Sequence, residues 1–467
     1  MQQPSSHVLT GVHAERQRGV LALVVLLAGL ILAVLAGSAA IPARAQGATD
    51  TVAQGAGGGA ATARPVQPGS QVLAFNPELG VDNQGTSFRM RLNALIQPRA
   101  FVLSEPDRLV VEMPEVTFRM PARVGATGKG LIAGWRGGLF APGRSRLVFD
   151  LSAPAQVVRL SVTPDPTTGV ATFDLELAPT SRESFRAEAA RAKAKIEALP
   201  VATAPVERGP AGKGDREMPA GAGSETVPVV VIDPGHGGVD FGTWSRFSEM
   251  QEKELVLAVG HLLRDRLVAT KRFKVVMTRN TDVFVPLEER VRIARAAKAD
   301  LFVSLHADAE ETPGVHGATI YTLSESASDQ RAADLAAKEN RADTLAGLDV
   351  PEITDEVTDI LIDLTRRETM QLSHLVARGM VDELKKSDRA IRTNPHRSAG
   401  FKVLKAHDIP SVLIELGFMT NREDVERMAS AEGRKTIAET LQRTIEGYFA
   451  RQMATAAAPV RAGTAQR

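Results

Sequence analysis

The chain has 467 residues, 43% hydrophobic and 24% charged, with 56 Lys+Arg against 55 Asp+Glu and a formal net charge of +1. Those proportions belong to an ordinary globular protein with room for more than one core, and the near-neutral balance removes the electrostatic case for nucleic-acid binding. There is no cysteine, which excludes disulfides, thiolate metal sites, thiol nucleophiles and a lipid-anchored N-terminal cysteine.

Residues 1–45 read as an export signal. Arg16 and Arg18 precede an apolar run over 19–36, and Ala43, Arg44 and Ala45 form a small-x-small cleavage site before Gln46. The apolar run is long enough for an uncleaved anchor, but the site follows the helix-breaking Pro42, which favours removal. The expectation is an exported, periplasmic protein with no stable membrane insertion after cleavage. Residues 46–69 are Gly/Ala/Thr/Pro-rich and too poor in large apolar side chains to fold, so they read as a flexible tether.

Over 70–179 the pattern changes to short alternating segments, FRMRLNAL, RLVVEMPEV, SRLVFDLSA, AQVVRLSV and ATFDLELA, separated by Asp/Pro/Gly clusters. This predicts a small β-sandwich. A linker follows over 180–226, with a charged, Ala-rich and solvated helix across 182–199 and then Pro/Gly/Ala-rich coil.

From 227 to 452 apolar strand-like runs alternate with amphipathic helices, the pattern of an α/β domain with a mixed central sheet flanked by helices. In VPVVVIDPGHGG an apolar run breaks at Pro234 and Gly235 and presents His236 on a glycine-rich turn. LFVSL ends in His306, and SVLI ends in Glu415. Open α/β sheets place their chemistry at such strand ends. Acidic residues Glu249, Glu252 and Glu254 cluster ahead of an amphipathic helix predicted over Leu255–Leu267. Two imidazoles and one of these carboxylates suit a hydrolytic zinc ion, which takes three protein ligands and leaves a fourth position for water. Glu415, emerging from an apolar strand, suits a general base that does not bind the metal. His261, His316, His374 and His407 lack comparable context. After the strand Gly317–Leu323, helical periodicity appears in Val357–Leu364 and again in Met370–Leu384; the first, bounded by Gly347 and Pro351, reads as an extra element. Residues 453–467 are small, polar or basic and read as a disordered tail.

The segments VVVIDPGHGGVDFGT, QEKELVLAVG, VVMTRNTDVFVPLEERVRIARAAKADLFVSLHADA and FKVLKAHDIPSVLIELGFMTNRED carry a specific resemblance. Across roughly Val229–Tyr448 the chain resembles the zinc-dependent N-acetylmuramoyl-L-alanine amidases of bacterial cell division, the AmiC-like group of the amidase_3 family. The resemblance implies zinc on His236, Glu252 and His306, with the Glu–Lys pair selecting Glu252, and catalysis by Glu415. Asp308 and Arg295 depart from the family, which usually has Asn at the first position and often at the second. His396 and Arg397, just ahead of FKVL, are weak substrate-binding candidates. EPDRLVVEMPEV and RSRLVFDLSAPAQVVRL are similar to the AMIN domain of this group, which implies binding to the wall or the division site.

The same resemblance implies peptidoglycan as substrate, release of the stem peptide for daughter-cell separation at the septum, and self-inhibition. It makes the insert, about 340–366, a regulatory helix over the zinc, released by a division-linked activator (LytM/EnvC/NlpD-like). Glu339 is the candidate blocking carboxylate, with Glu352 and Glu356 as rivals. Two other classes share the features: a zinc peptidase acting on another stem-peptide bond, and a catalytically silent wall-binding regulator.

Overall fold

Alternation dictates the first half of the structure. In the computed structural model, which describes residues 71–120, 125, 127–165, 168, 170–197, 227–310, 312, 314–348, 360–386 and 391–457, strands β1 (Val72–Val81), β2 (Thr86–Leu92), β3 (Arg99–Leu103), β4 (Arg108–Pro114), β5 (Val116–Phe118), β6 (Ile132–Ala141), β7 (Arg144–Leu151), β8 (Ala155–Pro164) and β9 (Ala171–Pro179) come first. They form a five-stranded sheet, ordered β5-β1-β2-β9-β8, and a four-stranded sheet, ordered β3-β4-β7-β6. The expected signal, tether, tail beyond 457 and coil after the linker helix, together with Glu352 and Glu356, lie outside the described residues.

Every second residue of β2 (Thr86, Phe88, Met90, Leu92) is buried, as are Ala171, Phe173, Leu175 and Leu177 of β9. The facing sheet supplies Leu109, Val111, Leu147 and Phe149 to the same core. Phe88 sits at its centre, edge-on to Trp135 at 4.9 Å and to Phe149 at 5.0 Å, an arrangement that stabilises beyond area burial alone. The sequence did not announce β1, β3, β5 or β6. β6, IAGWRGGLFA, carries three glycines, which weaken the intrinsic strand signal, and tertiary pairing with β7 overrides it. Helix α1 (Arg182–Glu197) departs from the solvated helix expected there, because Phe185 and Ala189 are buried in the sandwich core. One i, i+4 pair against a charged background is too narrow a stripe for periodicity to show.

The second half runs β10 (Val229–Pro234), α2 (Glu252–Ala269), β11 (Lys274–Met277), α3 (Leu287–Ala296), β12 (Leu301–His306), β13 (Ala318–Leu323), α4 (Gln330–Glu339), α5 (Ala342–Leu345), α6 (Ile360–Lys386), β14 (Ile391–Ala399), a 3-10 turn at Lys402–Leu404, β15 (Ser411–Glu415), α7 (Arg422–Ala429) and α8 (Ala431–Ala457). The strands form one sheet ordered β11-β10-β12-β15-β13-β14. All ladders are parallel except β13 with β15, which makes this the mixed sheet that the α/β pattern predicts. β12, β13 and β15 are buried at every position, because helices cover both faces. Val230, Ile232, Val303 and Ile414 point to α2, α6 and α8. Val231, Phe302 and Leu413 point to α3, α4 and the 3-10 turn.

Three boundaries differ from the sequence reading. Helix α8 continues to Ala457, into the tail expected to start at 453. The helix expected at Leu255–Leu267 begins at Glu252, where Gln251 and Glu254 form a capping box. The periodic stretches at Val357–Leu364 and Met370–Leu384 merge from Ile360 onward into the single helix α6. Both halves belong to one compact unit.

Candidate metal centre

Parallel pairing brings the chemistry together. β10, β12 and β15 are neighbours, with Pro234 opposite Leu305 and His306 opposite Glu415. Their carboxyl ends therefore meet on one edge of the sheet. His236 lies just past the end of β10 with φ +59°, in the left-handed region that few non-glycine residues enter. Arg290, donating to the carbonyls of His236 and Pro234 at 2.8 and 2.9 Å, helps to hold that conformation. Gly235 is needed for close approach: a Cβ there would sit 2.4 Å from the His306 ring. The two imidazole centroids are 4.9 Å apart.

Each donor has a defined orientation. His236 Nδ1 pairs with Asp240 Oδ2 at 2.9 Å, which turns Nε2 toward His306. Glu252, in the first turn of α2, accepts from the amides of Ala307 and Thr243, both at 2.8 Å. Its Oε1 lies 3.1 Å from His236 Nε2 and 3.4 Å from His306 Nδ1. Glu339, the last residue of α4, closes the group from the other side, with Oε2 3.5 Å from His236 Nε2 and 3.3 Å from His306 Nδ1.

These four separations match the edges of a tetrahedron, about 3.3 Å, around a zinc ion about 2.0–2.1 Å from each donor. His236 Nε2, His306 Nδ1 and Glu339 Oε1 are buried and have no hydrogen-bond partner, and buried polar atoms are rarely left so. His236, His306 and Glu339 form a metal-competent cluster, and Glu252 Oε1 faces the same two nitrogens. The donors fit a divalent cation.

The electrostatics agree. Burial alone would depress the His236 imidazolium, but the carboxylates of Asp240, Glu252 and Glu339 outweigh it and raise its pKa well above the ordinary value. Burial pushes the Glu339 carboxyl up, against the opposing pull of the two histidines and Lys338. A centre with more carboxylates than imidazoles calls for positive charge.

Glu415 is wholly buried beside this cluster. Its Oε2 accepts from the Asp308 amide at 2.8 Å, while Oε1 is unpartnered. Burial first, then the carboxylates of Asp308 and Glu252, raise its pKa well above the usual range, the direction in which a carboxyl becomes a better proton acceptor. Asp308 accepts from Thr243 Oγ1 at 2.6 Å and pairs with Lys338 of α4.

Beneath the turn lies a buried ionic platform. Asp233 accepts from Arg290, Thr278 and Ser304 at 2.6–2.7 Å. Arg279 donates to the carbonyls of Pro234, Gly235 and Lys253, and burial with the neighbouring Arg290 lowers its pKa to about 10. The sequence reading assigned no role to Asp240, Arg279, Arg290 or Lys338. Asp240 has a local signal, four residues after His236; the arginines have none.

The structure brings His236, Glu252, His306, Glu339 and Glu415 together. It does not bring in His396 or Arg397. His396 Nε2 lies 3.1 Å from Thr322 Oγ1 and its ring 5.1 Å from that of His374, while Arg397 pairs with Asp329 at 2.9 Å. FKVL follows them in sequence, but β14 is an edge strand and directs these two side chains into its own contacts. No described helix is long and apolar enough to cross a membrane.

A family model described as N-acetylmuramoyl-L-alanine amidase matches residues 230–447. The amidase AmiC of Escherichia coli O6:H1 is 31% identical over 376 residues, covering 78% of this chain and 87% of its own. AmiA of Escherichia coli K12 is 36% identical over 222 residues, covering 47% of this chain and 76% of its own. Among solved structures, the amidase AmiC2 of Nostoc punctiforme aligns at 27% identity and a TM-score of 0.35, over 49% of this chain and 100% of that one. The chain belongs to the N-acetylmuramoyl-L-alanine amidase family.

Proposed function

We propose that this amidase-family chain hydrolyses the amide bond between N-acetylmuramic acid and the L-alanine of the peptidoglycan stem peptide, with zinc held by His236, Glu252 and His306. The observation that carries this reading is the pair of orphaned imidazole nitrogens facing Glu252, with the buried Glu415 in register beside His306. When bound, zinc would supply a Lewis acid for the scissile carbonyl and lower the pKa of a water to about 7.

The protein groups divide the remaining work. Asp240 fixes the His236 tautomer, and the amides of Ala307 and Thr243 fix the Glu252 carboxylate. Glu415 takes a proton from the attacking water and returns it to the alanine nitrogen as the C–N bond breaks. Water contributes its oxygen to the new carboxylate on the sugar and its protons to the products, and an intact stem peptide leaves.

Glu339 is read as a self-inhibitory plug, since its Oε2 stands where an open catalytic site keeps a position for water. Activity then needs a population shift to a state with Glu339 withdrawn, and an activator must favour that state by a few kcal/mol. A periplasmic chain acting at the division septum, directed to the wall by its AMIN-like N-terminal domain and released by a division-linked activator, accords with the export signal expected over residues 1–45 and with this plug.

The test is incubation of the purified zinc-loaded protein with peptidoglycan, in parallel with Glu339→Ala and Glu415→Gln, and mass analysis of the products. Intact L-alanine-terminated stem peptides from Glu339→Ala, and none from Glu415→Gln, are expected. Cleavage within the peptide would move the activity to another bond, and no release from a metal-loaded Glu339→Ala variant would remove the enzyme reading.

A further inference from the structure

We propose a second role for the N-terminal β domain: the outer face of its four-stranded sheet is an inhibitory clamp that holds the Glu339 segment against the metal donors. This rests on the reading of Glu339 as a plug.

Three arginines on three adjacent strands grip four successive carbonyls just beyond the plug. Arg108 of β4 donates to Thr344 O. Arg136 of β6 donates to Leu345 O at 2.7 Å, and Arg146 of β7 to Ala346 O and Gly347 O at 3.1 and 2.9 Å. Helix α5 is only four residues long: the Gly347 amide reaches back to Thr344 O, and the chain then leaves the helix at Leu345, Ala346 and Gly347, whose carbonyls face the sheet. The guanidiniums of Arg136 and Arg146 supply donors to these three carbonyls, Arg108 adds a second donor to Thr344 O, and together they bring positive charge to the end of the turn.

The grip is preformed on the sheet. Arg136 is held by Asp150 at 2.6 and 3.1 Å, and Arg146 by Glu112 at 2.7 and 3.0 Å. Arg146 also lies 3.5 Å over the Phe140 ring. Arg108 and Arg146 are 2% and 6% exposed; withdrawal of the segment would remove backbone acceptors from both buried guanidiniums.

Apolar contacts close the same interface. Val110 and Val148 alternate with the core residues Leu109, Val111, Leu147 and Phe149, so they face outward, yet both are 0% exposed. Gly347 packs on them: its φ is +74°, and a Cβ there would come 2.8 Å from Val110. Ala346 is buried among Val239, Phe284 and Phe140, between the two domains.

The connector from this grip to Glu339 is short and bonded throughout. The Asn340 amide bonds Ala336 O, and its side chain donates to Gly400 O at 2.8 Å and accepts from the Lys402 amide at 2.7 Å. Asp343 accepts from the Leu287 amide at 3.0 Å, and the Leu345 amide bonds Arg341 O. Glu339 therefore cannot leave the metal donors as a rigid segment without stretching contacts five to eight residues away. Release of the clamp and release of the plug are coupled, and coupling of this kind is reciprocal.

The experiment uses the full-length, zinc-loaded chain and two independent lesions. Arg136→Ala with Arg146→Ala strips the sheet side, while Gly347→Ala crowds the segment side and leaves the β domain untouched. Each is measured alone and with Glu339→Ala, for release of stem peptides without activator and for hydrogen exchange at the amides of 345–348. The clamp predicts a rise of about 5-fold or more from each lesion, faster exchange at those amides, and no further rise over Glu339→Ala alone. A Glu339→Ala rise with both lesions at the wild-type level overturns the clamp and leaves the plug standing. Lesions that add fully to Glu339→Ala also overturn it, since their effect would bypass the plug. No rise from any variant removes both the clamp and the plug.

Discussion

The metal donors on the sheet and the carboxylate that faces them are held in different ways. His306 and Glu415 close strands buried on both faces, and His236 is braced by Arg290 and Asp240 within three layers of packing. Glu339 ends a ten-residue helix that packs through small alanines, Ala332 and Ala336, and its segment is tied by polar contacts: Lys338 with Asp308, Asn340 with Gly400 and Lys402, and the arginines of the N-terminal sheet. A close-packed core fixes geometry and resists small displacements. A segment held by separable hydrogen bonds can leave at a cost of a few kcal/mol. The contrast is what the proposed self-inhibition requires, a stationary centre and a cover that can leave it.

The contrast can be broken most severely at the stationary side. Glu415→Gln keeps size and hydrogen bonding but cannot take a proton, and stem-peptide release in a Glu339→Ala background should fall about 10²–10⁴-fold. Retained activity would show that another group moves the proton. In the same background, a chelator should abolish release and zinc should restore it.

The platform under His236 gives the next effect. Arg290→Met leaves Asp233 buried without its partner and should cost about 3–5 kcal/mol in denaturant unfolding. The pH dependence has a definite sign. Burial works to raise the Asp233 pKa, but Arg290, Thr278 and Ser304 outweigh it and hold it below the ordinary value. Its contribution is therefore fully present above about pH 4, near the unfolded-state value, and is lost as the pH falls through the lower folded value. The gap between wild type and Arg290→Met should narrow below about pH 4; a constant gap would mean that the ion pair is not its source.

On the movable side the effects are smaller and reversed in direction. Glu339→Ala should raise activator-free release, within the roughly 5–150-fold range of ordinary coupling energies, with little change in melting temperature. Lys338→Ala removes the α4 contacts to Asp308 and to Thr243 Oγ1, and because that lysine is partly exposed the gain should be below about 5-fold. If it equals Glu339→Ala, the latch is Lys338 and not the carboxylate.

Legibility in the sequence follows the same division. His236, His306 and Glu415 stand out because each ends an apolar run, so local pattern alone sets them at a strand terminus. Glu252 could not be separated from Glu249 and Glu254 by pattern, since all three suit the start of a helix; the amides of Thr243 and Ala307 select it in space. The sandwich strands with clean alternation were readable, whereas the glycine-rich β6 depends on β7 to be a strand at all. His396 and Arg397, weak substrate-binding candidates by adjacency, lie on an edge strand, where their side chains pair with Thr322 and Asp329.

By itself, then, the sequence determined which residues end strands, because burial period and turn chemistry are local properties of the chain. Only the tertiary structure decided that Glu339 faces the two histidines, that buried Arg290 braces the turn, and that Arg108, Arg136 and Arg146 grip a segment some two hundred residues away. Those contacts join elements far apart in the chain, and a buried charge leaves no periodic mark in sequence; its partner is chosen only when folding removes the water that would otherwise solvate it.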